Sequence, residues 1–230
     1  MNDWKPFPHA DEAYDFAGPA LAKRGDFGAA VALATECGAL GHAPANKAAG
    51  IYATYLETSD RARQAIFKEA AERAESAAKA LPDDPNAHYF QAFNLGRYSQ
   101  SISIAKALRQ GIGGKIRDCL DRALALQPDH AEAHTALGLY HAEIIDKVGK
   151  MVGRMTYGAS ADAALGHFQR AVELTPDAPI AHMEYANGLY LLFGDDRLDE
   201  VTELYVKASE MKPRDAMERL DVEAAAAELE

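Results

Sequence analysis

Apolar residues recur at fixed distances before four prolines of the chain, with polar residues between them. An alanine stands five residues before each of Pro82, Pro128, Pro176 and Pro213, and further apolar residues stand eight and twelve residues before them. These offsets place apolar side chains on one stripe of an α-helix. Proline disrupts a helix interior, so each helix is predicted to end at its proline. The residues at the three offsets are Ala77, Ala123, Ala171 and Ala208, then Ala74, Leu120, Phe168 and Tyr205, then Ala70, Ile116, Ala164 and Val201.

A second pattern follows three of these prolines and predicts that another helix begins there. Residues 82–88, 128–134 and 176–182 share the form Pro-Asp-x-x-x-Ala-His. Pro85 and Pro179 suit the first turn of a helix, where no amide donor is needed. A small residue at a recurring position of this helix would let two helices pack closely. The residues nine and ten positions after the prolines are Gln91-Ala92, Leu137-Gly138 and Tyr185-Ala186.

The spacing of the prolines predicts insertions within the repeats. Successive prolines lie 46, 48 and 37 residues apart, whereas a standard repeat of two helices has about 34 residues. The extra residues fall between the first and the second helix of each unit, in residues 98–114, 142–159 and 192–197. The repeats are therefore predicted to carry long, partly helical inserts.

The repeat weakens toward the N-terminus but continues in alanine-rich helical stretches. The predicted pairs are residues 10–24 with 28–40 and residues 45–57 with 61–81. A turn at Gly25-Asp26-Phe27 separates the helices of the first pair. Ser59 or Asp60 is predicted to cap the last of these four helices, because short polar side chains satisfy the amides of a helix start.

The two ends of the chain have different predicted roles. Residues 214–230 are predicted to form a terminal helix, since a helical repeat array needs a cap over the apolar face of its last unit. Residues 1–9 are predicted to be an extended tail. No low-complexity linker or break in composition interrupts the chain, so residues 1–230 are predicted to form a single domain.

The repeat resembles the tetratricopeptide (TPR) pattern, in which Leu-Gly in the first helix precedes alanine and an aromatic residue in the second, and then proline. The match is clearest in Leu137-Gly138, Phe168 and Pro176. Residues 77–212, with their long inserts and the histidine after each turn, resemble the TPR-like domain of the regulator of microtubule dynamics family. The same layout is more weakly similar to the T component of TRAP transporters, a helical-repeat protein linked to hydrophobic ligands.

The repeats and these resemblances together predict an all-α fold. The expected architecture is a right-handed TPR-like superhelical solenoid of about five helical hairpins, with long intra-repeat inserts and a C-terminal capping helix. The resemblances imply a non-enzymatic binding scaffold, and neither of the two families supplies a catalytic motif to map onto the chain.

Composition supports a helical, acidic protein. The 230 residues include 47 alanines but only 23 valines, isoleucines and threonines together; alanine favours helices, whereas β-branched residues favour strands. The formal net charge of −11 argues against general nucleic-acid binding, which requires a basic face. No signal peptide and no apolar stretch long enough to span a membrane are recognisable, so a cytoplasmic location is predicted.

Histidines at one repeat position are interpreted as structural residues that fill the slot between helices. These are His88, His134 and His182, and equivalent positions in successive repeats lie too far apart to share a metal ion. His134 and His141 share a helix face, but no third ligand stands at a matching spacing. No metal and no other cofactor is therefore predicted.

Glycines and cysteines also receive structural interpretations. Gly111-Ile-Gly-Gly-Lys115 resembles half of a P-loop, but a helix precedes it and Ile116 follows it, so a helix break is predicted. An anion site at the start of that helix stays open as an alternative. Cys37 falls in an apolar stripe and is predicted to be buried, and nothing marks Cys119 as reactive. No nucleophile motif is recognisable, and the chain is predicted not to be an enzyme.

The TPR resemblance places a candidate recognition surface on the first helix of each repeat, whose inner positions would line a concave face. The alternative is that the inserts or the terminal helix cover the same stripe as core. The candidate binding residues are Asn86, Tyr89, Phe93 and Arg97, then Thr135, Leu139 and Glu143, then Ile180, Met183, Asn187 and Tyr190.

The second insert is predicted to be amphipathic over residues 144–157. Ile144, Val148, Met151, Val152 and Met155 would share one helix face, with Lys147, Lys150 and Arg154 on another. Residues 97–154 contain nine Lys/Arg and six Asp/Glu, unlike the acidic remainder of the chain. This segment is interpreted as a surface helix packed on the repeats, a lid over the concave face, or a contact for a partner or an anionic membrane.

The predicted function is non-catalytic binding of a protein or peptide partner through the concave face. The alternative is a carrier or sensor of a hydrophobic small molecule or lipid in the same groove. The two hypotheses differ in the pocket that they require: a carrier needs an enclosed apolar cavity, whereas a peptide scaffold needs an open surface.

Overall fold

The computed structural model describes residues 4–5 and 21–230, and the described residues form helices and connecting turns without a β-strand. The prediction of an all-α protein is confirmed. In chain order the helices are α1 (Phe27–Glu36), α2 (His42–Ile51), α3 (Asp60–Ala80), α4 (Pro85–Gln100), α5 (Ile104–Arg109), α6 (Ile112–Leu126), α7 (Ala131–Val148), α8 (Lys150–Tyr157), α9 (Ala161–Leu174), α10 (Pro179–Phe193), α11 (Leu198–Ser209) and α12 (Ala216–Ala227).

The helices follow the predicted alternation of first and second helices. The chain packs into two compact units, residues 1–126 with 214–217 and residues 127–213 with 218–230. In the first unit, α2 packs on α3, α3 on α4, and α4 on α6. In the second unit, α7 packs on α9 and α10, and α10 packs on α11. The division of residues 1–230 into domains has no independent test, and a single domain stays a prediction.

The inserts lie where the proline spacing predicts them. The short helix α5 lies between α4 and α6, α8 lies between α7 and α9, and a single 3₁₀ turn, Gly194–Arg197, separates α10 from α11. The predicted helix break at Gly111 is confirmed. Gly111 has a φ of 62°, a left-handed conformation that suits glycine, and α6 begins at the next residue.

The apolar stripe of the second helices is buried as predicted. Ala77, Ala123, Ala171 and Ala208 are all buried, and so are Ala74, Leu120, Phe168 and Tyr205. Phe168 lies between two glycines of neighbouring first helices, Gly138 of α7 and Gly188 of α10. The absence of a Cβ at both positions leaves room for the ring.

Polar side chains start several of the helices by accepting hydrogen bonds from free backbone amides. The Oγ of Ser59 accepts from the backbone N–H of Ala62 at 3.3 Å and so caps α3. This confirms the predicted start of that helix. Equivalent caps are Asp26 on α1, Asp84 on α4, Ser103 on α5, His130 on α7 and Ser160 on α9.

Replacing Ser59 by alanine is expected to lower the free energy of unfolding by about 1 kcal/mol, because one amide of the α3 start then loses its acceptor. Chemical denaturation followed by circular dichroism measures this change. Ser76→Ala is the control on the same helix: Ser76 is exposed and its Oγ only donates to the carbonyl of Glu72. An equal loss in both variants would contradict the capping role of Ser59.

Three sequence predictions need correction or fall outside the described residues. Cys37 is exposed at the end of α1 rather than buried, because α1 ends at Glu36 and the apolar stripe does not extend to it. The predicted helix over residues 10–24 and the tail over residues 1–9 lie mostly outside the described residues. Residues 21–24 form one 3₁₀ turn, and Trp4 stacks on Tyr52 with ring centroids 4.2 Å apart.

The predicted amphipathic helix over residues 144–157 is wrong as a continuous element. Gly149 has a φ of 82° and ends α7, and α8 restarts at Lys150. The apolar positions that were predicted to share one helical face are therefore divided between α7 and α8. Met151 and Met155 on α8 are 73% and 81% exposed, whereas Gly153 packs against Ile144 and Ala159.

Across residues 4–5 and 21–230, every helix is too short or too polar to cross a membrane.

Candidate partner-binding surface

The recurring histidines close the turns between one repeat and the next. The Nε2 atoms of His88, His134 and His182 lie 2.9 Å from the carbonyl oxygens of Pro82, Pro128 and Pro176 respectively. A carbonyl only accepts, so each Nε2 must carry the hydrogen. Burial lowers the pKa of His182, which favours the neutral ring with one donor. We call these three contacts the turn locks, and they confirm the structural interpretation of the histidines.

Arginines of the second helices add ion pairs to two of these turns. Arg122 Nη2 lies 2.9 Å from Asp83 Oδ1, and Arg170 Nη2 lies 2.6 Å from Asp129 Oδ1. The sequence interpretation did not include these pairs. A signal for them exists, because a basic residue directly precedes the recurrent alanine in Arg122, Arg170 and Lys207. Such exposed pairs contribute little stability.

A histidine pair joins α7 to α9. The Nδ1 atoms of His134 and His167 are 2.9 Å apart, and the ring of His141 stacks on that of His167 with centroids 5.9 Å apart. The Nε2 of His134 already donates in its turn lock, so in the neutral form its Nδ1 accepts from His167. Among the described residues, no three His, Cys, Asp or Glu side chains are placed to hold a metal ion.

In the first unit, the candidate binding residues form a row along α4. Asn86, Tyr89, Phe93 and Arg97 are all partly exposed. The rings of Tyr89 and Phe93 have centroids 6.0 Å apart, and the guanidinium of Arg97 lies 5.7 Å from the centroid of Phe93. These residues are spaced three or four positions apart, so they share one face of the helix. We call this set the α4 row.

Phe93 has a packing role as well as an exposed surface. A Cβ added to Gly50 of α2 would lie 2.6 Å from Cε1 of Phe93. The ring therefore rests against the backbone of α2 at a position where only glycine fits without a shift. Any substitution at Phe93 therefore changes the packing of α2 on α4 together with the surface.

A cleft of about 410 Å³ opens at the end of the α4 row. It lies between the start of α3 and the end of α4, and its residues are mostly polar. The lining residues are Thr54, Asp60, Arg63, Phe67, Arg97, Gln100 and Ser101. Only Arg97 was among the predicted binding residues, because the others lie outside the first-helix positions that the TPR resemblance implies.

Among the residues that the structure describes, the guanidinium of Arg63 is only partly satisfied. Its Nη2 donates to the carbonyl of Glu57 at 2.7 Å, and its Nη1 lies 3.2 Å from Oδ1 of Asp60. The Nε atom is buried and has no hydrogen-bond partner among the described residues. The carboxylate of Asp60 is 95% exposed, so solvent competes strongly for this ion pair.

In the second unit, the candidate residues of α7 lie at the edge of the core. Thr135, Leu139 and Glu143 are partly exposed. The Oγ1 of Thr135 donates to the carbonyl of Ala131 at 3.2 Å. Leu139 packs against the buried cluster that contains Ala142 and Phe168. This helix presents less apolar surface than the α4 row.

The candidate residues of α10 are largely part of the core. Met183 is buried with Tyr205, and Ala225 of the terminal helix α12 belongs to the same cluster, against which Ile180 also packs. This matches the alternative interpretation, in which the terminal helix covers the stripe. Tyr190 is 52% exposed.

Asn187 of α10 holds α11 in place. Its amide donates to Glu184 at 2.9 Å, and its carbonyl oxygen accepts from the hydroxyl of Tyr205. Burial raises the pKa of Tyr205 to about 12, so the hydroxyl keeps its proton and remains a donor. The side chain of Asn187 therefore has a structural role within the second unit.

Comparisons with known sequences identify a matching family and a partial relative. The family described as Regulator of microtubule dynamics protein 1-3 matches residues 44–229. The Protein CTR9 homolog of Arabidopsis thaliana is 29% identical over 145 residues, which are 53% of this chain and 12% of that protein. The chain thus spans only a small part of that relative's length.

A solved structure shows the fold. A thermophilic TPR protein from Thermus thermophilus superposes with a TM-score of 0.60 at 18% identity, over 96% of this chain and 97% of that one. The TPR-like fold predicted from the repeat is confirmed. The weaker similarity to the T component of TRAP transporters stays a prediction.

Proposed function

Because the chain belongs to the regulator of microtubule dynamics family, we propose that it is a non-catalytic scaffold that binds a protein or peptide partner through the α4 row. The TPR-like fold and the family are generally associated with scaffolds rather than with catalysis. The observation that carries the proposal is the partly exposed row of Tyr89, Phe93 and Arg97 beside a cleft.

The chemistry of the α4 row suits protein recognition. Tyrosine and arginine are enriched among the residues that contribute most to protein–protein binding energy. The rings of Tyr89 and Phe93 supply apolar contact area, and the packing of Phe93 over Gly50 limits the motion of the row before a partner arrives. An ordered surface loses less conformational entropy on binding than a mobile one.

The alternative, a carrier of a hydrophobic small molecule or lipid, receives less support. A carrier needs a cavity that encloses most of its ligand in apolar side chains. The cleft beside the α4 row is instead lined by polar and charged side chains. Met183, a predicted wall of the apolar groove, is already buried in the core of its unit.

Photo-cross-linking tests the proposed surface. A benzoylphenylalanine residue at Tyr89 is expected to capture a discrete partner in cells, whereas the same residue at Leu40 is not. Leu40 is the control position, since it is an apolar residue that is 79% exposed and lies outside the α4 row.

The captured partner then permits a quantitative measurement. With purified partner, Tyr89→Ala is expected to raise the Kd about tenfold, which corresponds to about 1.4 kcal/mol. Leu40→Ala should leave the Kd unchanged. Equal cross-linking at both positions, or an unchanged Kd for Tyr89→Ala, would contradict the proposal.

A further inference from the structure

We propose that the cleft at the end of the α4 row binds side-chain carboxylates of an acidic segment in the partner. This inference rests on the proposed scaffold function and adds the chemistry of the bound segment. Two arginines from different helices line the same cleft: Arg63 from the first turn of α3 and Arg97 from the last turn of α4. Two guanidinium groups in one cleft favour an anionic ligand.

Arg63 already forms an ion pair with a carboxylate of the chain itself. The carboxylate of Asp60 lies against Nη1 of Arg63, yet this side chain is almost fully exposed. A carboxylate from a partner would take its place with the same chemistry, because exposed ion pairs three residues apart on a helix contribute little stability. Arginine also binds carboxylates through two parallel hydrogen bonds, which a single Asp60 contact does not use.

Arg97 connects the charged cleft to the apolar part of the surface. Its guanidinium lies over the ring of Phe93, and its Nη1 donates to Oε1 of Gln100 at 3.5 Å, a long hydrogen bond. A segment that lies along α4 would therefore meet the rings of Tyr89 and Phe93 first and the arginines next. The fitting sequence combines apolar residues with glutamate or aspartate.

The size of the cleft is consistent with a short segment. About 410 Å³ lies at the lower end of the range for ligand sites, about 300–1,000 Å³. This volume accommodates a few side chains but no folded element.

Fluorescence anisotropy with a defined probe tests the proposal on the full chain. The probe is a fluorescein-labelled dodecapeptide with four glutamates and two leucines among glycines and serines, and the matched probe has glutamine at the four glutamate positions. The glutamate peptide is expected to bind at least tenfold more tightly than the glutamine peptide, and its Kd should rise with salt.

Variants of the cleft test whether its two arginines, rather than the positive charge of the unit in general, account for binding of the glutamate peptide. Arg97→Gln and Arg63→Gln are each expected to weaken binding of the glutamate peptide about tenfold. Arg109→Gln is the control, because Arg109 is an exposed arginine of the same unit outside the cleft. Asp60→Asn is expected to tighten binding by a few-fold, since it releases Arg63 from its internal carboxylate. Circular dichroism verifies that each variant is folded.

The outcomes distinguish this inference from the scaffold function. If both peptides bind equally and only Tyr89→Ala weakens them, the acidic preference is wrong and the scaffold function stands. If neither peptide binds, the inference is overturned, while cross-linking at Tyr89 still tests the scaffold function independently. Competition by inorganic phosphate as strong as by the glutamate peptide would show a general anion site and overturn the carboxylate assignment.

Discussion

Replacing Phe168 by alanine is expected to lower the free energy of unfolding by about 3–5 kcal/mol. The ring is fully buried and stacks on Tyr185 with centroids 5.1 Å apart. It fills the space between Gly138 and Gly188, so its removal leaves a cavity that these two residues have no side chain to fill. The loss of apolar burial and the cavity therefore add together.

Guanidinium denaturation followed by circular dichroism measures this effect. Leu198→Ala is the control in the same unit: it also removes apolar carbons, but Leu198 is 46% exposed, and a change below about 1 kcal/mol is expected. A loss of less than about 1.5 kcal/mol for Phe168→Ala would show that α7, α9 and α10 close the cavity by moving together.

The second large effect is expected from the opposite change, the addition of a methyl group at Gly188. A Cβ there would lie 2.3 Å from both Cε2 and Cζ of Phe168, and the ring has no room to retreat because Gly138 faces its other edge. Gly188→Ala is therefore expected to lower the free energy of unfolding by about 1–3 kcal/mol. This loss would occur although alanine has the higher helix propensity.

Gly166→Ala provides the matched control for this substitution. Gly166 lies on α9 and is exposed, and a Cβ added there would meet no atom within 4 Å. Without a clash, alanine should stabilise the helix by about 0.5–1 kcal/mol. Opposite signs for the two glycine substitutions would identify the clash as the cause. The same sign for both would refute it.

A double-mutant cycle tests whether Gly188 acts through the ring. In a Phe168→Leu background, the cost of Gly188→Ala is expected to shrink, because the atoms that the new methyl group meets are absent. Neighbouring residues typically show coupling energies of about 0.5–3 kcal/mol. Additive effects would mean that the methyl group at Gly188 strains another part of the core.

The sequence predicts the repeat packing well because the packing is periodic. Leu137-Gly138 and Phe168 stand at recurring offsets from prolines, and the structure places Gly138 in contact with Phe168 as the repeat implies. Gly188 was not recognised, since it lies two positions after the small residue that the offset predicts, Ala186. The offset identifies one small contact position in each helix, whereas the ring of Phe168 rests against two glycines.

The candidate site is only partly predictable for a related reason. Periodicity along α4 identifies Tyr89, Phe93 and Arg97 as one face. It contains no information on Arg63, which belongs to the preceding helix and reaches the cleft through tertiary packing. The binding role of the whole surface stays a prediction.

Single glycines explain where the periodic pattern misleads. The apolar positions of residues 144–157 fit one helical face, but Gly149 adopts a positive φ and ends the helix between them. A hydrophobic pattern does not distinguish a glycine within a helix from a glycine that ends it. The local pattern of apolar and polar positions therefore does not indicate that α7 ends at Gly149.

The turn locks have a consequence for how the chain folds. Each one joins a histidine to a carbonyl only six residues earlier, so its closure costs little loop entropy. The packing of α7 on α9 and of α10 on α11 likewise joins helices that are close in sequence. Such local contacts give a low contact order, which accompanies fast folding. A hairpin of helices can then nucleate before distant parts of the chain have met.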